Sequence, residues 1–386
     1  MAEFRYPRIL KTPQQSFFLL GPRGTGKSTW VQTQFPGAKT FDLLDEGLYQ
    51  DLLRDITLFS GVLNTLDEKK WVVVDEIQRL PHLLNEVHRF IESRRLRFVL
   101  CGSSARKLKK AGTNLLAGRA LKKIMYPFVP EELGADFDLE KALTFGTLPV
   151  IWQADSKKET LIAYVELYLK EEIQAEALVR NLPGFARFLP IAALFHGQTL
   201  NISSAARDAG VSRTTTIGYF QILEDTLITF RLPPFEGRLR VREKKHPKLY
   251  WMDAGVVRAI KKQFEAPVHE ERGVLFEGWL ANLLRVYRDR RDLFEEFYYW
   301  SPAEAKRTEV DFLLLKGGEY LAIEAISQTG LSSESFTGLR AVGELRKLKK
   351  RILVYMGKHA VRTPDGIDAL PVPEFLNRLQ SGSLWN

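Results

Sequence analysis

The first third of the chain alternates short apolar runs with longer mixed stretches. The runs that predict strands are Phe17–Leu20, Thr40–Leu43, Trp71–Asp75, Phe98–Cys101 and Leu121–Met125. A short, continuously apolar run is typical of a strand that is buried on both faces of a sheet. Helical segments separate these strands, so the alternation predicts a parallel sheet that helices cover on both faces. We therefore expect residues 1–135 to form one α/β domain.

The middle region, residues 136–250, has a mostly helical pattern and contains two short helices in close succession. Ser203 or Ser204 can cap the first of them, Gly210 ends it, and Ser212 caps the second. Two short helices with a glycine at the turn between them are the pattern of a helix-turn-helix. We therefore expect a helical domain that contains this motif.

The segment after these two helices extends the pattern to that of a winged helix. Leu227–Leu232 reads as a strand, and the basic stretch around Arg238–Arg242 reads as a hairpin that would form the wing. In a DNA-binding module, Arg213, Thr214 and Thr215 would open the recognition helix and the wing arginines would contact phosphates. The same kind of module also packs between protein subunits, so the motif alone leaves both uses open.

The last third, residues 251–386, is predicted to form a small α/β domain. Its predicted elements are a helix over Gly273–Tyr287, strands over Glu309–Leu315 and Tyr320–Ile326, a helix through Leu339–Leu348 and a strand over Arg351–Tyr355. Glu277 on the first helix, with Asp311 and Glu324 on the strands, resembles the acidic set of a metal-dependent nuclease. Such a site holds Mg²⁺ with its carboxylates.

One position argues against nuclease turnover. A lysine two positions after the last acid normally helps to activate the attacking water in such sites, and here that position is Ile326. An aliphatic side chain cannot donate or orient a proton. We therefore expect a degenerate nuclease-like domain, in which binding of metal or DNA by the remaining acids stays possible.

The composition is that of an ordinary globular protein. The chain has 386 residues, 45% hydrophobic and 27% charged, which favours two or three packed domains. The single cysteine, Cys101, excludes an internal disulfide and fits a reducing compartment. No apolar run approaches the roughly 20 residues of a membrane helix, and no secretory segment opens the sequence. These features predict a cytoplasmic protein without a membrane partner.

The balance of charges favours an acidic partner. There are 56 basic and 47 acidic residues, a net charge of +9, so nucleic acid is a natural candidate. The basic residues cluster as Arg238, Arg240, Arg242, Lys244, Lys245 and Lys248, and, on a predicted helix face, as Arg346, Lys347, Lys349, Lys350 and Arg351. These two clusters are the candidate contacts to nucleic acid.

A glycine-rich loop follows the first predicted strand and leads into a helix-permissive stretch. The residues assigned to nucleotide binding are Gly21, Pro22, Arg23, Gly24, Thr25, Gly26, Lys27, Ser28 and Thr29. Such a loop turns its backbone N–H groups toward an anion, and the helix N-terminus adds the positive end of its dipole. Lys27 would reach the β- and γ-phosphates, and the Ser28 hydroxyl would ligate Mg²⁺. The sequence therefore predicts binding of a nucleoside triphosphate.

Residues at the ends of later strands can complete a hydrolytic site. Asp75 ends a predicted strand at the edge where ligands bind in parallel sheets, so we assign it to Mg²⁺ and Glu76 to polarising the attacking water. Ser103, or alternatively Ser104, can orient that water or sense the γ-phosphate. Arg119 can stabilise the charge on the γ-phosphate of a neighbouring subunit. A serine-rich turn and an ordinary surface arginine are the alternatives for these last residues.

With these motifs in place, nearly the whole chain resembles a family of prokaryotic AAA-type P-loop ATPases with a C-terminal domain of unknown function 4143. The segments that carry the resemblance are the glycine-rich loop, Val74–Gln78, Gly102–Ser104, Leu116–Arg119, Phe145–Pro149, Tyr168–Ile173, the winged-helix segment, Lys248–Gly255, Phe276–Glu277 and Glu309–Asp311. The resemblance implies ATP as the nucleotide, a ring-like homo-oligomer, Arg119 as the finger, a winged helix and a restriction-endonuclease-like C-terminal fold. The chain departs from the family pattern at Glu171 and Glu172, where members often carry arginine and aspartate, and at Ile326.

Three functions fit these features. The first is a Mg²⁺-dependent, ATP-hydrolysing oligomer that couples its nucleotide state to binding or remodelling of nucleic acid, which the basic clusters favour. The second is an ATP-gated nuclease, which Glu277, Asp311 and Glu324 favour and Ile326 opposes. The third is a nucleotide-dependent switch that binds a protein partner and hydrolyses ATP rarely.

Overall fold

The computed structural model describes residues 6–103, 116, 118–169, 182–236, 245–302 and 308–386. Some predicted features lie outside the described residues, namely Ser104, the basic hairpin around Arg238–Arg242, Lys244, and the pair Glu171 and Glu172. The described chain contains sheets of five, three and six strands with helices packed against them. The predicted α/β class is confirmed. Within the described ranges, none of the helices combines the length and apolarity that crossing a membrane requires.

The first sheet consists of five parallel strands. They are β1 Phe17–Leu20, β2 Lys39–Asp42, β3 Trp71–Asp75, β4 Arg97–Gly102 and β5 Leu121–Ile124. Their order across the sheet is β2-β3-β4-β1-β5, with every pair parallel. The five strands predicted from the apolar runs are confirmed, each to within one residue at either end. Strand β4 separates β1 from β3, so the glycine-rich loop, Asp75 and Ser103 follow three adjacent strands at one edge.

Alternating side chains along these strands divide the first domain into two core layers. The helices are α1 Lys27–Gln34, α2 Glu46–Arg54, α3 Thr57–Asn64 and α4 Leu83–Arg94. Val73 and Val99 face α1, whereas Val72 and Phe98 face α2, α3 and α4. Cys101 lies in the α1 layer and is fully buried, so packing accounts for it.

The middle region is helical, as predicted. Helix α5, Pro130–Leu133, precedes this region. The helices of the region are α6 Leu139–Phe145, α7 Pro149–Trp152, α8 Lys157–Ala163, α9 Leu182–Leu194, α10 Ile202–Ala209 and α11 Arg213–Asp225, and a π-helical turn over Tyr164–Leu169 extends α8. Helices α10 and α11 are the predicted pair. Gly210, with φ of 62°, ends α10, and the Ser212 side chain caps α11, as expected.

The prediction of the first cap is wrong. Asn201 caps α10, because its side-chain oxygen accepts a hydrogen bond from the Ser204 backbone N–H, and Ser203 and Ser204 lie inside the helix. Asparagine is as good an N-cap as serine, so the composition of the segment left several candidates.

A small antiparallel sheet follows the helix pair. Its strands are β6 Gln198–Thr199, β7 Thr229–Leu232 and β8 Lys248–Trp251, in the order β6-β8-β7. On β8, Leu249 and Trp251 pack into the core of the helical region. Tyr250, between them, packs into the core of the C-terminal domain. Strand β8 therefore contributes one face to each of the two cores.

The C-terminal region has a six-stranded mixed sheet in the order β13-β14-β12-β11-β10-β9. Its elements are α12 Ala254–Ile260, α13 His269–Arg291, β9 Glu296–Trp300, β10 Val310–Lys316, β11 Glu319–Ile326, α14 Thr337–Ala341, β12 Leu348–Tyr355, β13 Val361–Arg362, β14 Asp368–Pro371 and α15 Val372–Ser381. The predicted helix around Glu277 and the predicted strands are confirmed.

The predicted helix through Leu339–Leu348 is wrong. Helix α14 ends at Ala341, and Lys347 takes a left-handed backbone conformation, with φ of 65°, directly before β12. Tertiary packing determines the conformation of this segment, because Ile352 and Val354 of β12 pack into the core beside the sheet. The basic cluster around Arg346–Arg351 consequently lies at the entry of a strand and not on a helix face.

Candidate functional site

The glycine-rich loop between β1 and α1 has a backbone that requires glycine. Gly24 and Gly26 have φ angles of 76° and 82°, in the left-handed region. A Cβ on Gly21 would lie 2.5 Å from the Met125 carbonyl oxygen, and one on Gly24 would lie 2.5 Å from Val150 Cγ1. Conformation and close packing therefore both fix glycines in this loop.

Lys27 is the first residue of α1, and its side chain points back into this loop. The residue is only 7% exposed. Its ammonium group donates hydrogen bonds to the carbonyl oxygens of Gly21 at 2.6 Å and Pro22 at 3.1 Å. The Thr25 hydroxyl donates to the same Pro22 oxygen at 2.8 Å. The loop thus holds one positive charge next to a helix N-terminus, and this combination attracts phosphate groups.

The two residues assigned to magnesium are in direct contact. The Ser28 hydroxyl, in the first turn of α1, donates a hydrogen bond to Asp75 Oδ2 at the end of β3, over 3.0 Å. Mg²⁺ prefers hard oxygen ligands and commonly takes one or two protein oxygens together with nucleotide phosphates. The donor set of this chain therefore fits a magnesium ion that arrives with a nucleotide.

Glu76, next to Asp75, lies in a buried hydrogen-bond network. It has a left-handed backbone, with φ of 55°, and is 9% exposed. Burial raises the pKa of Glu76, with Asp75 adding to the effect and Lys27 opposing it. The Gln78 amide donates to the Glu76 carboxylate and, over 3.1 Å, to the Ser103 hydroxyl oxygen. A carboxylate with a raised pKa is suited to accept a proton from water.

Arg8 also contacts the loop. Its guanidinium group donates to the Thr25 carbonyl oxygen at 2.8 Å and to the Tyr126 carbonyl oxygen at 2.5 Å. Its Nε is 2.9 Å from Glu132 on α5, and both side chains of this ion pair are 3% exposed. Arg8 thereby joins the loop, the segment after β5 and helix α5. Sequence reasoning missed it, because an isolated arginine before the first strand belongs to no motif.

The helical region also contacts the loop. The backbone N–H of Val150 on α7 donates to the Gly24 carbonyl oxygen at 3.2 Å, and the Tyr164 hydroxyl donates to the Arg23 carbonyl oxygen at 3.2 Å. Tyr164 opens the π-helical turn after α8, and such turns are frequent at functional sites. Two adjacent carbonyl groups of the loop are therefore bonded to a different domain.

Asp253 fixes the segment that leads into α7. Its Oδ2 accepts backbone N–H groups from Thr147 at 2.6 Å and Leu148 at 3.1 Å, while Oδ1 accepts from Val256 at 3.1 Å and caps α12. A Cβ on Gly146 would lie 1.8 Å from Asp253 Oδ1, so only glycine fits there. Burial raises the pKa of Asp253 to about 6, although the backbone hydrogen bonds favour the ionised form.

Arg119 lies on the surface just before β5. Its side chain is 41% exposed, and its Nε donates to Glu92 on α4 of the same chain. The side chain is thus accessible from outside, and its use on a neighbouring nucleotide requires separation from Glu92. That use stays a prediction.

The three acids predicted in the C-terminal domain lie close together. Asp311 on β10 and Glu324 on β11 are linked through the Asp311 backbone N–H, 3.4 Å from Glu324 Oε2. Carboxylate oxygens of Glu277, Glu309 and Asp311 all lie within 4.8 Å of one another. Sequence reasoning did not assign Glu309 to this set, although it is two positions before Asp311 and its side chain can reach the same face.

One prediction about a basic residue is wrong, and nucleic-acid contact by the second basic cluster stays a prediction. Lys248, counted in the first basic cluster, is 3% exposed and its ammonium contacts the C-terminal acids. In the second cluster, the following pairs form: Lys349 with Glu319, Lys350 with Asp368 and Arg351 with Asp365. Acidic neighbours thus pair with Lys248, Lys349, Lys350 and Arg351, and these ion pairs are not visible in the sequence alone.

A parallel sheet that carries a phosphate-binding loop, a contacting serine and aspartate, and a buried glutamate defines a P-loop nucleotide-binding domain. Family comparisons agree with that class. Residues 13–134 match an AAA domain, residues 136–266 match domain of unknown function 8612, and residues 272–375 match domain of unknown function 4143. The chain therefore combines an AAA domain with a C-terminal segment that matches the 4143 family.

Whole-chain relatives cover most of this sequence. Two uncharacterized proteins, from Mycobacterium bovis and Mycobacterium tuberculosis, are each 24% identical over 371 residues, spanning 93% of this chain and 80% of their own. Among solved structures, similarity extends to the Aeropyrum pernix ORC1 protein in complex with DNA, at 13% identity, covering 65% of this chain and 87% of that one, with a TM-score of 0.26. Protein VC1899 from Vibrio cholerae matches at 12% identity over 96% and 98%, with a TM-score of 0.25. TM-scores this low carry no conclusion for this chain.

Proposed function

We propose that this protein is a Mg²⁺-dependent ATPase that assembles as a homo-oligomer in the cytoplasm and couples its nucleotide state to binding of nucleic acid. The observation that carries the ATPase part is the meeting of Lys27, Ser28, Asp75 and Glu76 at one edge of a parallel sheet. These residues supply the charge, the metal ligands and the base that phosphoryl transfer to water requires.

Each residue has a distinct task in this proposal. The loop N–H groups and Lys27 bind the phosphates, while Ser28 and Asp75 hold the magnesium ion, which neutralises charge on the phosphates when bound. Glu76 accepts a proton from the attacking water, and its raised pKa improves it as a base. Gln78 holds the Glu76 carboxylate and Ser103 at fixed separation.

The coupling part rests on the contacts between the loop and the helical region. Phosphate binding acts on the backbone of the glycine-rich loop, and Val150 and Tyr164 are bonded to two carbonyl groups of that loop. A shift of the loop is therefore transmitted to α7 and α8. From there the packed core that includes Tyr164, Phe185 and Tyr219 reaches α11.

The nucleic-acid part rests on the start of α11. Ser212, Arg213 and Thr214 are exposed there, directly after the turn of the helix-turn-helix. Hydroxyl and guanidinium groups at the N-terminus of such a helix are the donors that contact phosphates and base edges in DNA. The side chains needed for DNA contact are consequently free of the protein core.

Steady-state ATP hydrolysis with and without DNA, combined with molar mass in solution, tests the proposal. We expect duplex or single-stranded DNA to stimulate the wild type, and the double substitution Arg213→Ala/Thr214→Ala to remove that stimulation but not basal hydrolysis. Arg362→Ala is the matched control, because Arg362 is 75% exposed on β13 in the C-terminal domain.

The outcomes separate the parts of the proposal. Absence of hydrolysis in the wild type overturns the ATPase, whereas hydrolysis indifferent to DNA, without salt-sensitive DNA binding, overturns the coupling. Slow hydrolysis with a nucleotide-driven change of mass and no DNA effect identifies a switch that acts on a protein partner.

A further inference from the structure

Strand β8 places two polar side chains inside the C-terminal domain. Because side chains alternate along a strand, Leu249 and Trp251 face the helical region while Lys248 and Tyr250 face the opposite way. Lys248 is 3% exposed and Tyr250 is fully buried. A buried lysine is costly unless its charge is paired, so its surroundings decide what it does.

The Lys248 ammonium lies among the acids of the C-terminal site. Its Nζ is 2.7 Å from Glu277 Oε1 and 3.3 Å from Asp311 Oδ1, and it also pairs with Glu309. The Tyr250 hydroxyl donates to the same Glu277 oxygen at 2.5 Å. Each of the three carboxylates that lie within 4.8 Å of one another therefore contributes an oxygen to one ammonium group.

Electrostatics agree with a charged lysine at this position. Burial lowers the pKa of Lys248, but Glu277, Tyr250, Asp311 and Glu309 together raise it well above its ordinary value. Burial, with Glu277 adding to it, raises the pKa of Asp311 to about 8. The carboxylates that contact Lys248 therefore favour its charged form.

We propose that the Lys248 ammonium is the built-in cation of this acidic site and takes the position that a divalent metal would need. The site then fastens β8 of the helical region to α13 and β10 of the C-terminal domain, and it neither holds a divalent metal nor cleaves nucleic acid. In nuclease sites of this kind the lysine stands at the position that Ile326 occupies here, in the C-terminal domain. Lys248 comes from the helical region instead and contacts the acids directly. This inference is independent of ATP hydrolysis.

Binding of Mn²⁺ without nucleotide, followed by electron paramagnetic resonance, tests the inference. We expect the wild type to show no tight site. Lys248→Met keeps the side-chain length and removes the charge, so it should gain one Mn²⁺ site. Its affinity for Mn²⁺ should exceed that of the wild type by about tenfold or more, because one repelling positive charge is gone. Lys248→Met/Asp311→Asn should lose that site again. Lys349→Met is the control, since Lys349 also pairs with an acid but lies exposed on β12.

Thermal unfolding gives a second readout. Lys248→Met should unfold at a lower temperature than the wild type, because the buried acids lose their partner, and Mn²⁺ should restore part of that loss in this variant alone. A folded Lys248→Met protein that gains no Mn²⁺ overturns the inference.

The wild type decides the question even where Lys248→Met does not fold. Tight Mn²⁺ binding by the wild type that disappears in Glu277→Gln overturns the inference, because the acids then hold a metal despite Lys248. Mg²⁺- or Mn²⁺-dependent DNA cleavage that Asp311→Asn abolishes overturns it equally. Absence of tight binding in both wild type and Glu277→Gln supports it.

Discussion

The backbone N–H of Thr147 donates a 2.6 Å hydrogen bond to Asp253, 106 positions later in the sequence. The bond holds the segment that enters α7, and on α7 Val150 is bonded to the Gly24 carbonyl oxygen of the phosphate-binding loop. A carboxylate from a distant part of the sequence therefore holds the segment that contacts that loop. Nucleotide binding is expected to depend on it.

Asp253→Asn should weaken both the fold and ATP binding. An amide offers one acceptor oxygen in place of two and turns an N–H₂ group toward backbone donors, a change that costs about 1–3 kcal/mol for a buried group. Denaturant unfolding and titration with a fluorescent ATP analogue measure the two effects. Asp138→Asn is the control, because Asp138 caps α6 in an exposed position where asparagine caps equally well. Unchanged ATP affinity in folded Asp253→Asn would contradict the coupling.

Lys27→Ala should weaken ATP binding strongly. The substitution removes the buried ammonium group of the loop, and charge-assisted hydrogen bonds of this kind are worth about 1.5–3 kcal/mol, so affinity should fall by at least about tenfold. Equilibrium titration with labelled ATP measures the loss. Lys39→Ala, on exposed β2, should bind as the wild type does. Equal ATP affinity of Lys27→Ala and wild type would show that the loop does not bind the nucleotide.

Glu76→Gln should bind ATP normally and lose hydrolysis. Glutamine keeps the shape but cannot accept a proton from water, and loss of a general base typically costs about 10²–10⁴ in rate. Single-turnover hydrolysis separates the chemical step from binding. Gln78→Ala should reduce the rate less, since Gln78 orients Glu76 but accepts no proton. Turnover at the wild-type rate by Glu76→Gln would assign the base to another residue.

Arg119→Ala should slow hydrolysis only in the assembled protein. An arginine supplied to a neighbouring nucleotide contributes about 10³–10⁵ in rate, and Glu92→Gln should not reduce the rate because it only releases Arg119. Mixed oligomers give a sharp test. Subunits with Arg119→Ala keep their own site, and subunits with Lys27→Ala keep their finger, so mixing the two inactive proteins should restore activity. Normal turnover by monomeric protein would refute this role.

Local patterns account for the features that the sequence predicted correctly. The five strands of the first sheet are continuous apolar runs, and the Gly21–Ser28 loop is a contiguous motif whose geometry depends on its own glycines. Ser212 caps α11 through a residue three positions away. Each of these depends on interactions of short range, which a sequence displays directly.

The residues that were missed or misassigned act over long range. Arg8 reaches Glu132 and Lys248 reaches Glu277, partners separated by 124 and 29 positions. Lys248 looked like a surface charge because its neighbours in sequence are basic, whereas its neighbours in space are acidic. The prediction of a helix through Leu348 was wrong for a related reason, because Ile352 and Val354 of the following strand pack into the core of the sheet. Charge and periodicity in the sequence indicate which side chains are charged or apolar, but the tertiary structure determines which side chains they contact.

His196 provides a test of stability against pH. It is 2% exposed, its Nδ1 accepts the Trp251 backbone N–H at 3.1 Å, and its Nε2 has no hydrogen-bond partner among the described residues. Burial, reinforced by Lys261, lowers the pKa of His196 to about 3. The unfolded chain binds a proton here below about pH 6.5, and the native chain does not.

The free energy of unfolding should therefore fall as the pH drops below about 6.5 and keep falling toward pH 3, by up to ~1.4 kcal/mol per unit from this residue. Above pH 6.5 its contribution is constant. His196→Gln does not titrate, so denaturant unfolding of wild type and variant should diverge by ~2 kcal/mol between pH 6.5 and about pH 5. Asp253, whose raised pKa has the opposite sign, is present in both proteins and cancels. Parallel pH profiles of the two proteins would show that the native state protonates His196.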